Sequence, residues 1–283
     1  MRWVLVVVGA LAMGCRSTEA AATTHEKHAA PSGQTTPWSC GAVHDAAPLV
    51  RPLGHGGRLK LGAVADTNGT AAGTMANLSR LGGVFAEEHV DAVLALGDLG
   101  RTEDEIAAVL TALGRSAHAP VLALAGERAP ENAFHAAVKR VHDAGIDVVD
   151  LVDKRLVDTG DVDIVSVPGY PFSEKGCHYR AADLDGVARM MSGRAHPRVV
   201  AAHTPPKGRG ADAIDWALGD VNAGDAAMAA LVERLEPAAA LFAHVDEAGG
   251  RATGEEINVG AVERGMGVIV DVDGGRARHR VLR

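Results

Sequence analysis

Three stretches decide the fold: LKLGAVADTNGT at residues 59–70, DAVLALGDLG at residues 91–100 and VLALAG at residues 121–126. Each is a short run of Val, Leu and Ala that ends in a polar tip, without the strict alternation of a half-exposed strand. Such a run suits a strand buried on both faces of a sheet. The segments between them, Thr74–Glu88 and Asp104–Gly114, have the spacing of amphipathic helices. The unit therefore reads strand–helix–strand–helix–strand with right-handed crossovers. In open sheets of this kind chemistry gathers at the carboxyl ends of the strands. Those ends carry Asp66 and Asn68, then Asp98, then Glu127 and Arg128.

Beyond this unit the pattern predicts a helix at Glu131–Ala144, a strand at Ile146–Leu151 and a hairpin of Arg155–Asp158 with Val162–Val167. A helix follows near Ala181–Met191, then a strand Val199–Ala202 that ends in His203. After a long loop through Gly224 come a helix at Asp225–Leu235 and a strand Ala239–Phe242 ending in His244. Three alternating stretches, Glu256–Val259, Gly267–Val272 and Ala277–Leu282, close the chain between Gly-rich turns. This strand-dense second half predicts a second sheet packed face to face on the first. With 283 residues the chain can bury a substantial core, and with 3% aromatics that core must consist of small aliphatics. The formal charge is −8 with no basic cluster, which argues against a nucleic-acid partner.

The amino terminus has one early cation, Arg2, and an apolar run Trp3–Met13. That run is too short to span a bilayer as a helix but fits the hydrophobic region of a signal peptide. Leu11-Ala12-Met13-Gly14-Cys15 resembles a bacterial lipoprotein signal, in which cleavage leaves the cysteine lipidated, here at Cys15. Residues 16–37 are Ala, Thr, Ser, His, Gly and Pro without apolar periodicity and read as a disordered tether. The domain then covers 38–283. The resemblance implies the bacterial cell envelope, at the outer membrane or facing the periplasm, with membrane contact through the lipid anchor only and plain secretion as the alternative. Setting Cys15 aside leaves Cys40 and Cys177, an even pair that reads as a disulfide in an exported protein.

Two histidines from the second half join the acids of the first at the strand ends. The potential ligands are Asp66, Asp98, Glu127, His203, His244 and Asp246, with Asn68 as a neutral oxygen donor. Mixed carboxylate and imidazole sets suit Mn, Fe or Zn, and an oxygen-rich half suits Mg or Ca. Taken singly, each has a plainer reading: an Asp after a strand often caps the next helix, and a lone His is more often structural.

In this order the residues resemble the five blocks of the calcineurin-like metallophosphoesterases, over roughly Leu59–Leu282. Asp66-Thr67-Asn68 stands for the Asp-x-His block, Gly97-Asp98 for Gly-Asp, and Gly126-Glu127-Arg128 for Gly-Asn-His. His203 stands for the lone His, and Ala243-His244-Val245-Asp246 for Gly-His-x-His. Asn258-Val259-Gly260 resembles the Asn-x-Gly that follows. The resemblance implies an α/β fold of the four-layer αββα type, two mixed sheets face to face with helices outside. It implies hydrolysis of a phosphate ester by a metal-activated hydroxide, with up to two divalent ions. One ion would take Asp66, Asn68 and Asp246, the other Glu127, His203 and His244, and Asp98 would bridge them.

The departures concern charge and protons. Asn68 and Asp246 replace histidine ligands, and Glu127 replaces a neutral asparagine. Arg128 replaces the histidine that assists the leaving group, and an arginine cannot give up a proton near neutrality. General acid catalysis is worth about 10²–10⁴ in rate. Arg128 could instead hold a phosphate oxygen. Asp66, Asp98, Glu127 and Asp246 cannot all stay ionised together without compensation, which metal ions, protons or an inward Arg128 could supply. Three functions follow from this: a divergent exported metallophosphoesterase, a catalytically silent lipoprotein that keeps the fold as a binding module, or, from the swap of His and Asn for oxygen donors, a non-hydrolytic Ca- or Mg-binding module.

Overall fold

The computed structural model describes residues 38–171 and 176–283. The signal at 1–15, its Cys15 and the tether at 16–37 lie outside the described residues. Strands β1 (Arg58–Val64), β2 (Ala92–Leu96), β3 (Val121–Leu124) and β4 (Val148–Asp150) lie side by side and parallel. Helices α1 (Ala72–Glu87), α2 (Glu103–Ala117) and α3 (Glu131–Asp143) connect them. Every residue of β2 and β3 is buried, which is why their sequences do not alternate. Helix α2 starts on a capping box: Glu105 N donates to Thr102 Oγ1, and the Glu105 carboxylate accepts from Thr102 N. This fixes the chain a few residues beyond Asp98.

The second sheet begins with the antiparallel pair β5 (Leu156–Asp158) and β6 (Asp163–Val167). It continues in parallel through β7 (Arg198–Ala202), β8 (Ala239–Phe242) and β9 (Glu256–Asn258). Helices α4 (Ala181–Met190) and α5 (Ala226–Leu235) cover its outer face. The last two strands, β10 (Gly267–Asp273) and β11 (Arg276–Leu282), return to the first sheet, with β10 antiparallel to β1. The second half of the chain is therefore divided between the two sheets. The reason lies in β10: Val268, Val270 and Val272 enter the core between the sheets while Ile269 enters the core under the helices. A strand buried on both faces takes an interior place, and β11 supplies the edge.

Three apolar layers hold these parts together. Leu78, Phe85, Leu110 and Phe134 pack under α1–α3; Leu61, Leu94, Ile164 and Leu241 fill the space between the sheets; Leu184, Val187, Leu231 and Phe242 pack under α4 and α5. The result is the four-layer αββα sandwich. Among the described residues no helix is long and apolar enough to cross a membrane.

Several strands of two or three residues are too short to show a period in sequence. Trp38–Ser39, Cys177–Tyr179 and Tyr170–Pro171 form a small parallel sheet, and Trp216–Ala217 pairs with Val221–Asn222 inside the loop after His203. Cys40 and Cys177 are joined as a disulfide across a sequence separation of 137. Beside it lies Arg155, fully buried, whose Nη1 donates to Cys40 O at 3.1 Å and Gly41 O at 2.8 Å. Its Nη2 donates to Ser166 O at 2.7 Å, so one guanidinium ties the disulfide strand to the second sheet. Burial pushes its pKa down to about 10.

Closing so long a loop removes much entropy from the unfolded chain. Reduction of Cys40–Cys177 is expected to lower stability by about 2–5 kcal/mol. Urea unfolding with and without reductant checks this, and equal midpoints would contradict it.

Candidate metal centre

The tips of β1, β2 and β3 meet those of β7 and β8 at one place between the sheets. At the first two tips, Asn68 N donates to Asp98 O at 2.8 Å and Asp66 N to Gly97 O at 3.2 Å. Two further contacts cross between the sheets. His244 N donates to Asp66 Oδ2 at 3.1 Å, and His203 Nδ1 lies 2.7 Å from Leu96 O. A carbonyl only accepts, so Nδ1 carries the proton and Nε2 faces the acids. There Nε2 is 2.5 Å from Glu127 Oε2 and 3.8 Å from Asp98 Oδ2.

Backbone strain is concentrated at the same place. Asp66, Asn68, Asp98 and His244 have φ of 52°, 49°, 50° and 68°, in the left-handed region. Asp and Asn tolerate it better than other residues with a Cβ, but it still disfavours each turn. Left-handed residues gathered at strand ends are a mark of functional sites. Glycine is required next to them: a Cβ on Gly97 would lie 2.6 Å from His203 Nδ1, and one on Gly126 would lie 2.1 Å from Asp98 Oδ1.

The structure brings Asp66, Asp98, Glu127, His203 and His244 into two three-donor groups that share His203. In each group, Asp66–Asp98–His203 and Glu127–His203–His244, the donor atoms lie within 4.8 Å of one another. His244 Nδ1 is 3.3 Å from Glu127 Oε1. Arg128 turns into the cluster: its Nε is 3.2 Å from Asp98 Oδ2 and 3.8 Å from Glu127 Oε1, and its Nη1 donates to Asn68 Oδ1 at 2.6 Å. Asp246 belongs to neither group. It opens a short helical turn at Asp246–Ala248 and lies 3.9 Å from Arg264 Nη2.

Burial drives the electrostatics. It pushes the carboxyls of Asp66, Asp98 and Asp246 up, and neighbouring acids add to the rise at Asp66. Burial also pushes Glu127 up, but the imidazoles of His203 and His244 outweigh it and hold this carboxyl well below the usual range. Burial would lower His203, yet Glu127 and Asp98 raise it to about 10. More acid than base is thus packed at the strand ends. The donor set fits a divalent metal: carboxylates with imidazole, and a histidine whose second nitrogen is held by a backbone carbonyl, as metal-ligating histidines generally are.

Two neighbours support the site. Asn258 Nδ2 donates to Val245 O and Ile214 O, each at 2.9 Å, and Asn258 Oδ1 accepts from Gly260 N, which holds the turn after His244. Tyr170 lies against His244 with ring centres 4.4 Å apart. Tyr170 sits in a Pro-Gly turn with no periodicity around it, so nothing in the sequence marks it. Among the described residues two other three-donor groups lie away from this site. Arg194 bridges Asp158 and Asp163, beside His196, and His135 Nδ1 is 2.7 Å from Asp150 Oδ2.

No protein-family model matches the sequence, and no curated protein matches it. Solved structures do share its fold. TT1561 of Thermus thermophilus superposes with a TM-score of 0.60 at 16% identity, over 80% of this chain and 99% of that one. A dimetal phosphatase from Danio rerio has a TM-score of 0.55 at 11% identity, over 79% and 96%. GAP50, the anchor in the inner membrane complex of Plasmodium, has a TM-score of 0.50 at 11% identity, over 79% and 84%. The four-layer sandwich is thus a fold found in a dimetal phosphatase and also in an anchor protein.

Gly97→Ala is expected to cost about 1–3 kcal/mol and to shift the His203 ring resonances. Gly83→Ala, inside α1 where a Cβ meets nothing, should instead stabilise by about 0.4–1 kcal/mol. Thermal unfolding of both variants, with NMR of the first, checks the pair. A pH effect is expected away from the cluster. The hydrogen bond that His135 donates to Asp150 raises the His135 pKa against the effect of burial. A histidine raised on folding contributes stability that is complete below its ordinary value near 6.5 and is lost as pH climbs through the raised value. Asp150→Asn should therefore destabilise more at pH 6 than at pH 9, and equal losses at both would contradict the assignment.

Proposed function

We propose that this chain is a divergent member of the calcineurin-like metallophosphoesterases that hydrolyses a phosphate ester with a divalent metal. The observation that carries this reading is the pair of three-donor groups sharing His203, set at the strand ends of a fold found in a dimetal phosphatase. Asp66, Asp98, Glu127, His203 and His244 would hold metal, with Asn68 and Asp246 beside them. A bound divalent ion supplies Lewis acidity, which polarises a phosphoryl oxygen and lowers the pKa of water.

The remaining roles belong to the side chains. His203 keeps Nε2 toward the cluster because Leu96 O holds its other nitrogen. Arg128, its side chain 44% exposed, is available to a phosphate oxygen at the cluster's open side and cannot serve as the proton donor to a leaving group. The fitting substrates are therefore esters with good leaving groups, whose departure needs little protonation. Export and lipid anchoring at Cys15 complete the proposal. They are supported by the signal-like start of the chain and by the Cys40–Cys177 disulfide, a bond of oxidising compartments.

One observation favours a second reading, a silent binding module: the guanidinium of Arg128 already compensates Asp98 and Glu127 from inside the cluster. Turnover separates the two. Hydrolysis of activated aryl phosphate mono- and diesters should stop on chelation, return with Mn(II), and fall about 100-fold or more in Asp98→Asn. The double variant Glu127→Asn with Arg128→His restores a proton donor and should gain about 10²–10⁴ on poor leaving groups. Absence of chelator-sensitive turnover in every form would favour the silent module.

A further inference from the structure

Resting on that metal-dependent reading, we propose that the centre is mononuclear. One divalent ion is held by Glu127, His203 and His244, and the guanidinium of Arg128, engaged by Asp98, stands as a built-in cation in place of a second ion.

The two donor groups are not equally accessible to metal. On the Glu127–His203–His244 side the donor atoms face one another, and Arg128 approaches only Glu127 Oε1, at 3.8 Å. On the other side the oxygens already have partners. Asp98 Oδ1 accepts from Arg128 N at 3.1 Å, and Asp98 Oδ2 lies 3.2 Å from Arg128 Nε. Asn68 Oδ1 accepts from Arg128 Nη1 at 2.6 Å, and Asp66 Oδ2 accepts from His244 N. Asp246, which would complete that side, lies 3.9 Å from Arg264 Nη2 and raises the pKa of Asp66. One residue thus engages both oxygens of Asp98 and the side-chain oxygen of Asn68.

Charge leads to the same assignment. The guanidinium of Arg128 already brings Asp98 and Glu127 a positive charge. A second divalent ion at Asp98 would face that guanidinium at contact distance, in a setting that screens poorly. Glu127 and Arg128 are neighbours in sequence as well as in the cluster. An acid here strengthens the retained position, while the adjacent base fills the other.

The test is metal binding. Wild-type protein, stripped with chelator, is titrated with Mn(II) by calorimetry and followed by electron paramagnetic resonance. It should take one equivalent and give the spectrum of an isolated ion. Arg128→Ala and the more conservative Arg128→Gln should each take a second equivalent, with the broadened spectrum of a coupled pair. Because the Arg128 side chain is partly exposed, neither change opens a buried cavity. Glu127→Gln should weaken the single wild-type site about tenfold or more. Two equivalents in the wild type, or one in both Arg128 variants, overturns the proposal and leaves metal-dependent hydrolysis standing. No binding by any of these proteins removes the metal-dependent reading, and this proposal with it.

Discussion

The fully buried imidazole of His203 sets the terms for everything around it. Its Nδ1–H is committed to Leu96 O, a carbonyl at the end of β2 in the opposite sheet, so the ring is both a cross-link and an oriented donor. A buried ring with one nitrogen satisfied leaves the other needing a partner, and an apolar neighbour there would strand it. Glu127 meets that need at 2.5 Å. Gly97 is glycine because the ring leaves no room for a Cβ, and Gly126 because Asp98 leaves none. The sheets are otherwise held by aliphatic contact, which is non-directional. The polar contacts at their tips are what place the two sets of strand ends in a definite relation.

Much of this was legible in the sequence, for a physical reason. Strands buried on both faces read as uninterrupted Val, Leu and Ala, so β1, β2, β3, β7 and β8 stand out, and the polar residue after each falls where parallel neighbours end together. The limits were physical as well. The alternating stretch Gly267–Val272 marked β10 as a strand, but only the distribution of Val268, Ile269 and Val270 between two cores sends it to the first sheet. Tyr170 and Arg155 act through contacts made across the fold, and nothing in the residues beside them signals it. Asp246 sits at the expected offset from His244, close enough to act on Asp66, and a short helical turn also brings it 3.9 Å from Arg264 Nη2.

On the proposed metallophosphoesterase reading, Glu127 and Arg128 are one change: where that family's block has a neutral ligand followed by a proton carrier, this chain has an acid followed by a permanent cation. The net charge at neutral pH hardly alters, so the surrounding acids can remain. What is lost is the proton that a leaving group would take, and what is gained is a fixed positive group with donors in a plane, suited to oxygens of carboxylate or phosphate. On the proposed reading, such a site would attract and orient an anionic ester while being poor at expelling a strongly basic leaving group.

The turn that carries this pair is braced from behind, which bears on how firmly Arg128 is aimed. Trp38 Nε1 donates to Ala129 O at 3.0 Å, and Trp38 N donates to Gly176 O at 2.9 Å. Gly176 in turn lies so close that a Cβ there would stand 2.2 Å from Glu127 O. The disulfide between Cys40 and Cys177 closes these two short strands together one or two residues away, and Arg155 anchors them to the second sheet. Residues 126–129 are thus pressed between the tip of β2 and a cross-linked clamp, and the carboxylate of Asp98 accepts from the backbone of Arg128 as well as facing its Nε. A guanidinium held by its own main chain and by a braced turn is not a solvated surface arginine that happens to fold inward. Its position is a property of the fold, which is why the charge it brings has to be counted as part of the centre.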